Sequence, residues 1–184
     1  MLKVETNDPY AIGTTYRTLP IPMVPEHCIA LDAGPVQLVV EARQLTNEIV
    51  EETLPPEYRA VRDRDDAAHL DDFGASLHVV GTADGHEHLR FDCFEHSPHY
   101  HYVRHDDNMQ VVNAIDFHAE GDATAWTLAR LRTRLPEMLE FAGVPALAAE
   151  VRAANDTVLA AVDEVEGLLA RAQVQAVADR AARD

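Results

Sequence analysis

Between Ala75 and Asp116 the chain alternates apolar and polar side chains with a period of two. Turn-forming residues interrupt this alternation three times, so the segment predicts four short antiparallel strands. We place the strands at residues 75–82, 86–94, 99–104 and 109–116. Because successive residues of a strand point to opposite faces, the pattern divides the predicted sheet into an apolar face and a polar face.

The polar face is rich in histidine. A three-residue turn ending at Gly85 sets His78 opposite Arg90, and a four-residue loop over residues 95–98 sets Asp92 opposite His101. In this register the polar face gathers His78, His88, Arg90, Asp92, His99 and His101. A second loop that is one residue longer would instead bring the tyrosines of this segment to that face.

This set of side chains predicts a metal site. Imidazole is a common ligand of Zn, Fe, Ni and Cu, and two histidines with one carboxylate form a frequent ligand set. We therefore predict a divalent transition metal at Asp92, His99 and His101, with His88 or His78 as a further ligand. A ligand or acid–base site without metal, and a solvated face without function, are the alternatives.

Neighbouring residues suggest roles beside the metal. Arg90 can hold an anionic substrate group through two hydrogen bonds, and Tyr100 or Tyr102 can donate a proton. A second His-x-His pattern, His86 to His88, adjoins the turn, where we expect it to be exposed.

Helical patterns flank the strands. Residues 43–54 have helical spacing and precede two prolines, and Asp122 is placed to cap a second helix in which Pro136 predicts a kink or a restart. From Pro145 onward the apolar residues follow a heptad pattern that predicts one long amphipathic helix. That helix either packs on its own domain or forms a dimer contact.

The order of these elements predicts an α+β fold, in which an antiparallel β-meander is packed by C-terminal helices, the last one long. We assign residues 1–143 to an α+β domain with an extended N-terminal arm. We assign residues 144–184 to the long helix, as part of the same domain or as a dimerisation element.

Composition restricts the partners. The 184-residue chain has a formal net charge of −17 and a sequence pI near 4.8. Such a surface repels nucleic acid, and no apolar stretch is long enough for a membrane helix. The N-terminus lacks the pattern of a signal peptide, so we expect a cytoplasmic protein. Cys28 and Cys93 are then expected to be free thiols.

The stretch CFEHSPHYHY, with its PHYHY motif, resembles an uncharacterised bacterial domain family. The resemblance extends from about Phe73 to Gly143. It implies a bacterial cytoplasmic domain and carries no activity, cofactor or fold.

Two functional hypotheses follow. The first is a small soluble metal-binding protein, with the enzymatic option of acting on a small polar or anionic substrate. The second is a non-catalytic accessory protein that dimerises or docks a partner through its C-terminal heptad helix. The first predicts histidines that converge, and the second predicts a flat solvated histidine face with an open helix seam.

Overall fold

The structure, a computed structural model, describes residues 3–4, 12–49 and 70–183. Their strands form one antiparallel sheet in the order β1-β2-β8-β7-β6-β5-β4-β3. The strands are β1 (Lys3–Val4), β2 (Thr14–Tyr16), β3 (Cys28–Asp32), β4 (Val36–Thr46), β5 (Asp71–Gly81), β6 (Glu87–Phe94), β7 (His99–Arg104) and β8 (Met109–Ala114). From β3 to β8 each strand pairs with the next one along the chain, so the predicted meander is confirmed.

Helices follow the sheet in sequence, as the α+β prediction requires. They are α1 (Phe117–Glu120), α2 (Ala123–Phe141), α3 (Pro145–Ala153) and α4 (Asn155–Ala181). The carboxylate of Asp122 accepts a hydrogen bond from the Ala125 backbone N–H at 2.8 Å, which confirms the predicted N-cap. None of the helices in the described part of the chain is long and apolar enough to cross a membrane.

Three helical predictions need correction. Residues 43–46 are the end of strand β4, because their backbone pairs with β5; residues 47–49 are helical, and residues 50–54 lie outside the described residues. Pro136 lies inside α2, so the predicted restart is wrong, whereas the alternative of a kink stays a prediction. The single long helix after Pro145 is divided at Ala154 into α3 and α4.

The register of the first predicted hairpin is correct, and that of the second is not. His78 pairs with Arg90, as predicted. Between β6 and β7, however, Asp92 pairs with His99 rather than with His101. The loop between the two strands is still residues 95–98, but pairing of β6 with β7 begins only at Asp92 and His99. The shift of two residues leaves the side chains of β7 on their predicted faces, since the face alternates with a period of two.

The apolar face carries the core. Leu38, Leu77, Leu89 and Phe91 are fully buried there, and they pack with buried residues of α2, α3 and α4. The heptad seam faces this same sheet: its core positions Val151, Val158, Val165 and Leu168 are all buried within the chain. The seam is therefore occupied by intramolecular packing.

The polar face is also buried, because the N-terminal arm crosses it. Strand β2 lies beside β8 near one edge, whereas β3 forms the opposite edge, about 29 Å away at the usual strand spacing. The arm between them donates the Val24 N–H to Glu41, and its carbonyls at Ile21 and Pro22 accept from Arg43. The predicted extended arm thus contacts the polar face at Glu41 and Arg43 and helps to shield these two side chains from water.

Candidate metal centre

Five side chains connect β4, β5 and β6 across the polar face, and we call them the ion-pair chain: Arg43, Glu41, His78, Glu87 and Arg90. Arg43 donates to Glu41 at 2.6 Å, and Arg90 donates to both oxygens of Glu87 at 2.7 and 2.8 Å. His78 lies between the two pairs, 3.2 Å from Glu41 and 2.6 Å from Glu87. Because these salt bridges are buried and share partners, a change in the charge of one group affects the strength of the others.

A β-bulge brings Glu87 into the ion-pair chain. The register between β5 and β6 shifts between Val79 and Val80, so that Val80 pairs with Glu87. In a regular strand Glu87 and Arg90 would point to opposite faces, since they are three positions apart. The extra residue of the bulge turns Glu87 onto the polar face.

Both ring nitrogens of His78 face carboxylates, so His78 must carry two protons to satisfy them. Burial lowers the pKa of His78, but Glu87 and Glu41 raise it more, and the net pKa lies above its ordinary value. Burial raises the pKa of Glu87, whereas Arg90 and His78 bring it far below its ordinary value. The ion-pair chain thus holds three cations and two carboxylates, a formal net charge of +1, and each carboxylate lies between two of the cations.

A second cluster, which we call the triad, comprises Asp92, His99 and His101. The Nε2 atoms of His99 and His101 lie 3.2 and 3.1 Å from the same oxygen, Oδ2 of Asp92. One potential ligand atom from each residue lies within 4.8 Å of the other two, so the triad can hold a metal ion. Asp92 and His101 are buried, and the His99 side chain is 20% exposed.

Carbonyl oxygens orient both histidines of the triad. Nδ1 of His99 lies 2.7 Å from the Ser97 backbone oxygen, and Nδ1 of His101 lies 2.7 Å from Oε1 of Gln110. A carbonyl oxygen can only accept, so Nδ1 is the protonated nitrogen of each ring. This leaves both Nε2 atoms directed at Asp92, in the arrangement that metal-binding histidines use.

The carboxylate of the triad is oriented in the same way. The Ser76 hydroxyl donates to Oδ1 of Asp92 at 2.5 Å, and the opposite oxygen, Oδ2, faces the two imidazoles. Each of the three candidate ligands is thus held by a hydrogen bond on the side away from the common centre.

The protonation of the triad does not satisfy all of its contacts. Burial raises the pKa of Asp92, but hydrogen bonds from His101 and His99 bring it well below its ordinary value, so the group is ionised. Burial also lowers the pKa of His101, and there it prevails. A neutral His101 has one proton for two acceptors, Gln110 and Asp92, and a cation between its Nε2 and Asp92 would remove this conflict.

The pKa of His99 moves in the other direction. Burial lowers it, but the hydrogen bond to Asp92 and the charge of that carboxylate raise it above its ordinary value. In the metal-free protein a proton on Nε2 of His99 can therefore occupy part of the position that a metal would take.

The other two predicted ligands lie elsewhere. His78 belongs to the ion-pair chain, where carboxylates occupy both of its nitrogens. His88 lies near the β5–β6 turn, with its Nε2 3.0 Å from Asp84. The structure thus brings together three of the five predicted metal ligands.

The predicted substrate-handling residues are not brought to the triad either. The guanidinium of Arg90 is 2% exposed and is held by Glu87. Tyr100 and Tyr102 lie on the apolar face, where Tyr100 packs against Trp126 and Tyr102 against Phe141. Burial raises the pKa of both phenols, which keeps them protonated.

Four polar residues of this face were not predicted from the sequence: Glu41, Arg43, Glu87 and Gln110. Glu41 and Gln110 are on strands whose alternation could have indicated their side of the sheet. Glu87 could not have been assigned by alternation, because the bulge inverts its face. The two cysteines are free thiols, and burial raises the pKa of Cys93 to about 11, which makes it a poor nucleophile.

Comparison with known proteins identifies a family. No curated protein and no solved structure matches the chain. A family profile, described as a domain of unknown function (DUF7700), matches residues 30–180, which include every residue of the triad and of the ion-pair chain. Since the match covers far more than half of the chain, and as the resemblance to an uncharacterised family predicted, the protein belongs to the DUF7700 family.

Proposed function

We propose that this protein binds one divalent transition metal ion, Zn²⁺, Fe²⁺, Ni²⁺ or Cu²⁺, through Asp92, His99 and His101. Two imidazoles and one carboxylate are the ligand set of many zinc and non-haem iron centres. The sheet supplies all three ligands from two adjacent strands, so the site requires no loop to be ordered.

One observation carries the proposal: each ligand is oriented by its own supporting hydrogen bond. Ser97 and Gln110 fix the two imidazoles, and Ser76 fixes the carboxylate. In a cluster stabilised only by its own hydrogen bonds, each histidine would direct a ring N–H at Asp92. Its other ring nitrogen would then accept a hydrogen bond from a donor group. Here the supporting groups of both histidines are acceptors, which favours Nε2 as a metal ligand.

Three protein ligands leave at least one coordination position open. Structural zinc sites commonly have four protein ligands, whereas catalytic sites keep a position for water or substrate. His99 is the triad member with the most exposed side chain, so we place the open position on its side. The finer proposal is a metalloenzyme for a small polar substrate, which would be bound by the metal itself because Arg90 is already held by Glu87.

The proposal is tested by measuring bound metal in the untagged, full-length protein by elemental mass spectrometry, before and after dialysis against each candidate ion. We expect about one equivalent at the triad in the native protein and its loss in a His99→Ala/His101→Ala variant, because two of three ligands are gone.

A matched control removes two histidines elsewhere. His27 and His118 are exposed and lie outside both clusters, so the His27→Ala/His118→Ala variant should keep the triad metal. If the native protein takes up none of the four ions, or if the His99→Ala/His101→Ala variant binds them equally well, the proposal is wrong.

A further inference from the structure

A third group of polar side chains lies at the end of the β5–β6 hairpin, and we call it the hairpin cluster: Asp84, His86, His88 and His105. The rings of His86 and His105 stack with centroids 4.1 Å apart and planes 8° apart. The His88 ring lies 6.4 Å from the first and 6.3 Å from the second. Three imidazoles from two separate hairpins thus meet at one end of the sheet.

A carboxylate completes the hairpin cluster. Oδ2 of Asp84 lies 3.0 Å from Nε2 of His88 and 4.0 Å from Nδ1 of His86. The cluster shares no residue with the triad. Along β6, His88 and Asp92 are four positions apart, which corresponds to about 13 Å.

The turn is shaped to hold Asp84 against His88. The other carboxylate oxygen, Oδ1 of Asp84, accepts the His86 backbone N–H at 2.9 Å, and Gly85 has the positive φ, 68°, that this turn requires. A Cβ at Gly81 would lie 3.1 Å from Nε2 of His88 and would collide with Asp84. Glycine at position 81 therefore leaves the space in which the two side chains meet.

Three side chains of the hairpin cluster differ in their exposure to solvent. The side chain of His88 is 4% exposed, whereas those of Asp84 and His86 are nearly half exposed. His88 is thus a fixed ligand, and the other two can rotate toward an ion that arrives from solvent. Nε2 of His105 lies 3.1 Å from the Glu87 backbone oxygen, so that Nε2 carries the proton and the lone pair is on Nδ1.

We propose that the hairpin cluster is a second transition-metal site, for Zn²⁺, Ni²⁺ or Cu²⁺, and that it binds more weakly than the triad. Imidazole with carboxylate is a suitable donor set for these ions, and the net charge of −17 attracts cations. The affinity is lower because the His86–His105 stack must open before its nitrogens can face a common centre. The triad needs no comparable rearrangement.

Equilibrium dialysis of the demetallated, untagged full-length protein against Zn²⁺ tests this inference. We expect two equivalents in two affinity classes, with the weaker class about 10–100-fold below the stronger, the range associated with incomplete ligand orientation. The His86→Ala/His105→Ala variant should lose the weaker class alone. Electron paramagnetic resonance of bound Cu²⁺ should lose the matching nitrogen-coordinated signal.

Variants distinguish this inference from the triad proposal. The buried His88 is left in place, so that loss of binding is not confused with loss of folding, which circular dichroism checks. If the His99→Ala/His101→Ala variant retains one equivalent and the His86→Ala/His105→Ala variant loses it, the hairpin site stands even when the triad proposal fails. The inference is overturned if the native protein binds no Zn²⁺ that the His99→Ala/His101→Ala variant retains, or if such Zn²⁺ remains bound in His86→Ala/His105→Ala.

Discussion

The ion-pair chain and the triad lie on the same buried face, yet they solve the problem of buried charge differently. In the ion-pair chain His78 has a carboxylate at each ring nitrogen, and each arginine has a carboxylate within 2.8 Å. Each of its cations, Arg43, His78 and Arg90, has a carboxylate partner that also belongs to the ion-pair chain. The triad gathers one carboxylate and two imidazoles, whose protons are already directed at carbonyl oxygens.

The comparison shows that histidine density alone does not distinguish a structural network from a binding site. The two are distinguished by the groups that the second ring nitrogen of each histidine contacts. Where both nitrogens face carboxylates, the histidine is a cation that completes an ion pair. Where one nitrogen faces a neutral acceptor and the other a carboxylate, the arrangement suits a metal ion.

The largest effect is expected from removing a charge in the ion-pair chain. Glu87→Gln leaves Arg90 buried without its bidentate carboxylate, which should lower the free energy of unfolding by about 3–5 kcal/mol. Urea denaturation followed by circular dichroism measures this change. The control is Glu166→Gln, an exposed partner of Arg132, which should lower it by less than about 1 kcal/mol. Equal effects in both variants would contradict the structural role of Glu87.

Loss of the hydrogen bond that orients His101 should weaken the metal site. Gln110→Leu removes the acceptor of Nδ1, and we expect metal to bind about 10–100-fold less tightly. Competition with a chromophoric chelator measures the Kd, and Gln37→Leu, on the exposed part of β4, is the control.

The same variant tests the orientation of the Gln110 amide. Its nitrogen is buried and has no hydrogen-bond partner among the residues that the structure describes. If the amide were turned by 180°, the NH₂ group would donate to Nδ1 and place the proton on Nε2. Gln110→Leu would then leave the Kd unchanged or lower it.

The ion-pair chain should also give a stability that declines in alkali. The pKa of His78 is raised in the folded protein, so its stabilising contribution is complete below the unfolded value of about 6.5 and is lost as the pH rises through the folded pKa. Each unit of difference corresponds to about 1.4 kcal/mol. We expect the free energy of unfolding of the metal-free protein to fall across this interval.

His99 contributes to this decline with the same sign, because its pKa is also raised. The measurement is therefore repeated in the His99→Ala/His101→Ala variant, where the part that belongs to His78 should remain. A variant whose stability no longer depends on pH above 6.5 would show that His78 is neutral in the folded state.

The smallest effect is expected from the tyrosines. Tyr100→Phe and Tyr102→Phe remove hydroxyls on the apolar face, away from the triad, so metal affinity should not change. Unfolding should become easier by about 1 kcal/mol or less, as for one lost hydrogen bond. A marked loss of metal in either variant would return these residues to the role that the sequence suggested for them.

The sequence was sufficient to predict the α+β fold, the meander and the faces of the predicted metal ligands Asp92, His99 and His101. Face assignment depends only on whether a register shift is odd or even, so His99 and His101 remained on the polar face although Asp92 pairs two residues away from its predicted partner. Helical spacing misled at residues 43–46, because pairing of β4 with β5 outweighed local propensity.

Other features could not have been predicted from local pattern. The position of Glu87 depends on a bulge, which the alternation of polar and apolar residues does not reveal. Burial of the polar face depends on the arm, whose cover for Arg43 comes from residues about twenty positions earlier in the chain. Such contacts depend on how distant segments of the chain are arranged in the fold. The alternation of polar and apolar residues carries no information about that arrangement.

The arm also affects the order in which this fold can form. Strands β3 to β8 pair with their sequence neighbours and can assemble by successive hairpins, whereas Thr14 pairs with Val112, nearly a hundred residues later. Contacts this distant in sequence close late in folding. The polar face should therefore stay hydrated until the arm docks, and pulsed hydrogen exchange should find the amides of β2 protected after those of β5 and β6. The last segment to fold is then the one that seals the charged interior.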